Sequence, residues 1–377
     1  MSQSELQGAA AVIGPQALVA LLRLAVAQGA SDLHIRAGGP PLLRISGRLH
    51  PVDHAPLSDD DAEALVLDAL TLPRDRDMFL THQECDFALQ LDGVGRFRGN
   101  AYRMRGTASM VLRHVREHVP SIEELGLPSV VTEFAALQAG LVVVAGPTGS
   151  GKTTTLASLI DLVNRTRRCH ILTIEDPIEF LHRDQLSTVS QREIHTDTED
   201  FATALRSGMR QDPDVILVGE IRDLETLRTA LQASETGHLV LASLHAKSAV
   251  DAVNRMVDMF PAGEQRQARA ALAESLMGIV CQRLVAAQRH EGRLPVVEVL
   301  ASNGRVRDAI SDPEKTILIS EIIAEGEFYG MRTLEQDLVR LVLGGEISLA
   351  DAEGVIGQAS DLHVALKRAG YATGRTR

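Results

Sequence analysis

A chain of 377 residues, 45% apolar and 23% charged, has material for more than one buried core, and this composition excludes wholesale disorder. Its 38 Lys and Arg against 50 Asp and Glu leave a net charge of −12, a surface that repels polyphosphate backbones, so no nucleic-acid partner is expected. Cys85, Cys169 and Cys281 form no CxxC pair, there is no basic segment ahead of an apolar run at the N-terminus, and no stretch approaches about 18 uninterrupted apolar residues; a zinc site, a disulfide framework and an integral membrane segment are all unexpected, and a cytoplasmic protein is expected.

In chain order, Leu18, Leu21, Leu22, Leu24 and Ala25 recur at helical spacing over residues 16–27, and residues 31–35 alternate as a short strand. Gly38-Gly39-Pro40-Pro41 marks a turn. Residues 42–45 with the Gly47 continuation predict a hairpin, and residues 58–70 open with an N-capping Ser58 and three aspartates, which predicts a helix. Residues 95–103 and 109–113, broken at Gly106, predict a second hairpin carrying five arginines; from pattern alone, a solvated sheet face and a functional one are both open. This first part, residues 1–115, is α+β. Residues 116–128 are proline-punctuated and predict an interdomain linker. From residue 129 to 377, strand-like runs at 141–145, 170–174, 215–218 and 239–244 alternate with helical stretches at 153–165, 200–210 and 223–235. That alternation predicts a parallel sheet with helices on both faces. After Pro261 a long amphipathic helix is expected to carry Leu272, Leu276, Ile279, Val280 and Leu284, followed by a strand at 295–300 and a mostly helical remainder.

Gly146-Pro147-Thr148-Gly149-Ser150-Gly151-Lys152-Thr153 fills every required position of a phosphate-binding loop, whose glycines let bare backbone amides wrap phosphates. Such a pattern arises by chance in roughly one chain of this length per hundred, and here it follows an apolar strand and opens a helix. Lys152 would neutralise the outer phosphates of ATP and Thr153 would ligate Mg²⁺, with Thr154 completing the nucleotide-binding set. Ligands of open parallel sheets collect beyond the carboxyl ends of the strands. Two such ends carry acids: Glu175-Asp176-Pro177-Ile178-Glu179, where one carboxylate would orient water and accept its proton, and Gly219-Glu220-Ile221-Arg222-Asp223, where Glu220 is the expected Mg²⁺ partner. His238 and His245 bracket the last strand. Seven residues apart is no metal-ligand spacing, and from within the strand at most one ring can face the nucleotide.

These residues resemble the PilT-type ATPases of type IV pilus retraction, within the wider family of secretion ATPases. The likeness lies in four boxes, at 146–153, 173–179, 212–223 and 235–245, together with Ala30-Ser31-Asp32-Leu33-His34 and the arginine strand Arg96-Phe97-Arg98. It implies a PAS-like N-terminal domain and a RecA-like P-loop ATPase domain in a ring-forming homohexamer, with each site between domains. By the same resemblance Glu179 matches the catalytic glutamate, Glu220 the Walker B acid, and His238 and His245 the histidine box. Arg98 and Arg113 match arginines that reach the phosphates, with Arg210 and Arg222 as further candidates. An inner-membrane pilus platform protein and a paralogous motor are the implied partners, which would place the chain peripherally at the inner face of the cytoplasmic membrane. The absence of a four-cysteine zinc motif favours the retraction branch. Two departures stand out: Ser311, where a basic residue is usual, and Lys247 after the histidine box. The alternatives are a pilus-assembly or type II secretion ATPase, a nucleic-acid translocase on the same fold, and a ring subunit that binds ATP but scarcely turns over.

Overall fold

The computed structural model describes residues 15–115, 118–289, 292–356 and 359–371. The N-terminal stretch on which the absence of a leading basic segment was judged lies outside them, as do residues 116 and 117 of the expected linker. The chain divides into two compact units, Met1–Glu117 and His118–Arg377.

The first unit is built on a six-stranded antiparallel sheet, β1 (Asp32–Arg36), β2 (Leu42–Ile45), β3 (Arg48–Pro51), β4 (Glu84–Leu91), β5 (Gly95–Met104) and β6 (Thr107–His114), in the order β3-β2-β1-β6-β5-β4. The β2–β3 hairpin turns through Ser46 and Gly47 at φ 48° and 81°. The helix Asp59–Ala69 begins at Ser58, whose side chain accepts from the Asp61 amide while the Asp61 carboxylate accepts from the Ser58 amide, a reciprocal cap. The helix Pro73–His82 and β4 were not among the expected elements. The helix buries only Asp75 and Phe79, too few positions to leave a periodic trace. In β4, however, Cys85, Phe87 and Leu89 alternate inward, a period-two signal that was available.

The second unit holds a seven-stranded sheet in the order β13-β12-β7-β11-β10-β8-β9, composed of β7 (Gly140–Ala145), β8 (His170–Glu175), β9 (Thr188–Glu193), β10 (Val215–Val218), β11 (Leu239–Leu244), β12 (Leu276–Ala286) and β13 (Arg293–Ala301). All neighbours pair in parallel except β12 with β13. Every residue of β7, β10 and β11 is buried, as a sheet covered on both faces requires. One core lies around Leu141, Leu205 and Val253, the other around Val142, Leu159 and Leu239. Ile122 and Leu127 belong to the second of these cores, and Ser158 Oγ donates to the Pro120 carbonyl at 2.6 Å, so the described part of the expected linker packs as part of this unit.

The long helix expected after Pro261 is a correction. The helix Gln265–Ser275 stops there, and β12 begins at the next residue. Leu276, Ile279, Val280 and Leu284 therefore lie on a strand. When both faces of a segment are buried, apolar spacing alone does not separate helix from strand; here the β-branched pair Ile279-Val280 and the adjacent Gly278 disfavour the helix locally. Gly278 is required by close approach, since a Cβ there would come within 2.3 Å of the Phe134 ring. Beyond residue 346, the helices Leu349–Val355 and Ala359–Arg368 place Ala352, Leu362 and Leu366 in a satellite core with Val285, Val296 and Leu338.

Candidate nucleotide site

The phosphate loop leaves the carboxyl end of β7, where the Gly146 amide donates to the Leu244 carbonyl of β11 at 3.2 Å. Gly146 and Gly151 have φ of 153° and 89°, and both are crowded by β12: a Cβ on Gly146 would meet the Gln282 carbonyl at 2.4 Å and one on Gly151 the Gln282 amide nitrogen at 2.7 Å. Only glycine satisfies both the backbone conformation and the space. The helix Lys152–Thr166 starts with no side-chain cap, so its first amides face the loop and concentrate positive potential there. Lys152 Nζ donates to the carbonyls of Gly146 at 2.9 Å and Pro147 at 3.1 Å. Burial holds its ammonium below the usual lysine range, against the opposing pull of the Glu220 charge.

The loop, the strand ends and their acids enclose a cavity of about 560 Å³, lined among others by residues 148–154, Glu175, Asp176, Glu179, Glu220, Arg222 and His245. Glu220 is clamped: its Oε1 lies 2.8 Å from His245 Nε2, its Oε2 accepts from Arg222 Nε at 2.6 Å, and Arg222 Nη1 reaches Asp176 Oδ2 at 3.4 Å. Three strand ends are thereby tied into one polar rim beside the loop. Thr153 and Glu220 face the same cavity, and no group of three or more His, Cys, Asp or Glu side chains able to hold a metal occurs among the described residues. A hydroxyl and one carboxylate fit Mg²⁺, which keeps several waters and takes further oxygens from phosphates.

The structure thus brings together Thr148 to Thr154, Glu179, Glu220, Arg222 and His245. Two expected site residues lie elsewhere. His238 immediately precedes β11, its Nδ1 2.9 Å from the Ala233 carbonyl, about 20 Å of strand away from His245 at 3.3 Å per residue. Arg210 donates to the Arg206 carbonyl at 3.2 Å, next to the loop that receives the ring of His170, the first residue of β8. Both therefore stand at the amino edge of the sheet, opposite the cavity. In the first unit, Arg98 and Arg113 face each other across β5 and β6, and Arg113 Nε donates to buried Asp32 at 2.8 Å. Of the five hairpin arginines, Arg103 has a structural place, forked onto Glu63 at 2.6 and 2.7 Å and lying over the Phe79 ring.

Gln282 and His182 are not among the expected site residues, and Glu175 belongs to the expected acid cluster without a role of its own. Gln282 is buried in β12, donating to the Ser150 carbonyl at 2.8 Å and accepting from Thr155 Oγ1 at 2.8 Å, so one side chain braces both the loop and the helix it opens. It was hidden by the misplaced helix. Glu175, the last residue of β8, accepts from Thr173 Oγ1 at 2.7 Å and Gln191 Nε2 at 3.1 Å, and burial pushes its carboxyl up to about 7. His182, also lining the cavity, is held neutral because burial lowers it to about 4.

A phosphate loop after β7, acids at the ends of β8 and β10 and a histidine at the end of β11 define a P-loop ATPase domain of the α/β class. The model of the type II/IV secretion system protein family matches residues 7–305, and the chain belongs to that family. It is 43% identical to the type IV pilus retractation ATPase PilT of Pseudomonas aeruginosa over 88% of this chain and 96% of the relative. To the type IV pilus ATPase PilU of the same organism it is 41% identical, over 92% and 90%. A solved structure of the pilus retraction motor PilT with bound ADP matches with a TM-score of 0.84 at 39% identity, covering 91% of this chain and 99% of that one.

Proposed function

We propose that this chain is an ATP-hydrolysing motor that powers type IV pilus retraction as a homohexamer docked on an inner-membrane platform protein. The single observation that carries the catalytic part is the clamp of Glu220 by His245 and Arg222 beside the phosphate loop. Lys152, which holds two loop carbonyls, exchanges them for the outer phosphates of ATP. Thr153 and Glu220 hold Mg²⁺, which supplies charge neutralisation at the phosphates. Glu179 accepts the proton of the attacking water, the work of a carboxylate within hydrogen-bond reach. His245, bonded to Glu220, positions that carboxylate and registers its change of partner when the terminal phosphate departs. Arg98 and Arg113 are assigned as further phosphate contacts on the family likeness alone. Retraction rests on the likeness to PilT and on the absence of the four-cysteine insert.

The test is a Glu179→Gln chain. Hydrolysis should fall by about 100-fold or more while ATP binding is retained. In the host, deletion of the gene should leave excess surface pili without surface motility, restored by the native chain and not by Glu179→Gln. Absent pili on deletion would place the motor on the assembly side, and equal turnover by Glu179→Gln would sink the catalytic assignment.

A further inference from the structure

A second cavity, of about 520 Å³, borders the phosphate loop along residues 146–150 and shares Thr148, Gly149, Ser150, His245, Leu284 and Arg293 with the nucleotide cavity. The two differ in charge. Among the described residues, four carboxylates line the nucleotide cavity, whereas His245, Lys247, Arg255, Arg283 and Arg293 line the second and no carboxylate does. In a chain of net charge −12, the concentration of Lys247, Arg255, Arg283 and Arg293 without lining acids selects for anions.

The cations are held in place by their surroundings. The Lys247 amide donates to Asp251 Oδ2 at 2.7 Å, fixing this residue just ahead of the helix Ala249–Asp258. Arg255 Nε donates to Asp251 at 3.2 Å, and Arg283 donates to the Val355 carbonyl. Among the described residues, the Lys247 ammonium and the Arg293 guanidinium have no ion pair.

We propose that this cavity is an oxyanion site that receives the inorganic phosphate freed in the nucleotide cavity, holding it between hydrolysis and release. The inference rests on the ATPase reading above. Hydrolysis breaks the bond from the terminal phosphorus to the bridging oxygen, forms one to the water oxygen, and leaves ADP, phosphate and a proton. Passage past His245 and Arg293, which belong to both cavities, changes no further bond.

The experiment is equilibrium binding of radiolabelled inorganic phosphate to the full chain saturated with Mg-ADP, with ADP affinity measured in parallel. Lys247→Glu should weaken phosphate binding about tenfold or more, and Arg255→Gln by a smaller factor, because charge-assisted contacts to phosphate are lost. ADP affinity should stay within about twofold, since neither residue lines the nucleotide cavity. Intact ADP binding with phosphate affinity unmoved by either substitution overturns this inference alone. Failure of the native chain to bind ADP overturns the ATPase reading and this inference with it. A change in sedimentation of the variants with unchanged phosphate affinity also overturns it, and would make the cations a contact with another chain.

Discussion

In the six-stranded sheet, charged side chains sit inside the strands and answer one another across them: Arg44, Asp32, Arg113 and Arg98 occupy one row through β2, β1, β6 and β5. In the seven-stranded sheet, β7, β10 and β11 contain no charged residue, and the charges stand just beyond the strand ends, where Glu220, Arg222, Asp176 and His245 meet. An antiparallel sheet with a wet face tolerates charge along its length, whereas a parallel sheet covered on both faces confines it to the edge. An arginine within a strand is thus a weaker pointer to chemistry than an acid after one. Asp32 illustrates this. Burial opposes its ionisation, yet hydrogen bonds from Ser31 and Arg113 and the Arg113 charge hold its carboxyl below the usual range.

Glu175, the acid that ends β8 inside the second unit, offers the largest effect by which to test this contrast. Its carboxyl is raised from 4.5 to about 7 by burial, so between those values the folded chain keeps a proton the unfolded chain gives up, and stability falls as pH rises. His182 is lowered from 6.5 to about 4 by burial, so its contribution falls as pH drops through that window. Each is on the order of 3 kcal/mol, and in the native chain the two largely cancel between pH 4.5 and 6.5. Glu175→Gln should unmask the histidine: urea midpoints of the nucleotide-free variant should climb with pH over this range where those of the native chain stay nearly level. Parallel profiles would show that Glu175 ionises freely at the sheet edge like an exposed acid.

Gln282→Leu should come next, leaving the Ser150 carbonyl and the Thr155 hydroxyl without the partner that joins them. A loss of about 2 kcal/mol in stability is expected, with ADP affinity weakened about tenfold because the loop is no longer held open for phosphates. Calorimetric ADP titration separates the two effects, and unchanged affinity would reduce Gln282 to packing. The smallest effect belongs to the first sheet: Asp32→Asn should cost about 1 kcal/mol in thermal melting, since Arg113 stays 65% exposed and can turn to water. A cost as large as that at Gln282 would erase the distinction drawn between the two sheets.

Much of the site could be read from the residues themselves. The loop at 146–153, the strands that became β7, β8, β10 and β11, and the positions of Glu179, Glu220 and His245 follow from short-range chemistry: glycines for bare amides, apolar runs for doubly covered strands, and acids directly after them. Where a residue comes to lie relative to the two edges of a parallel sheet is another matter. His238 and His245 flank the same strand, yet only the one at the carboxyl edge reaches the cavity, and Arg210 lies at the amino edge with His238. Gly278 and the β-branched Ile279-Val280 spoke locally against a helix over residues 276–286, but which strands the segment joins was not legible, because its neighbours β7 and β13 lie more than a hundred residues upstream and several downstream in the chain. With that strand came Gln282, the brace of the phosphate loop, and Arg283, a wall of the cationic cavity. Local sequence determined the chemistry available at each strand end; which groups share a cavity was decided by long-range pairing, since the hydrogen-bonded order of strands distant in sequence sets which strand ends adjoin.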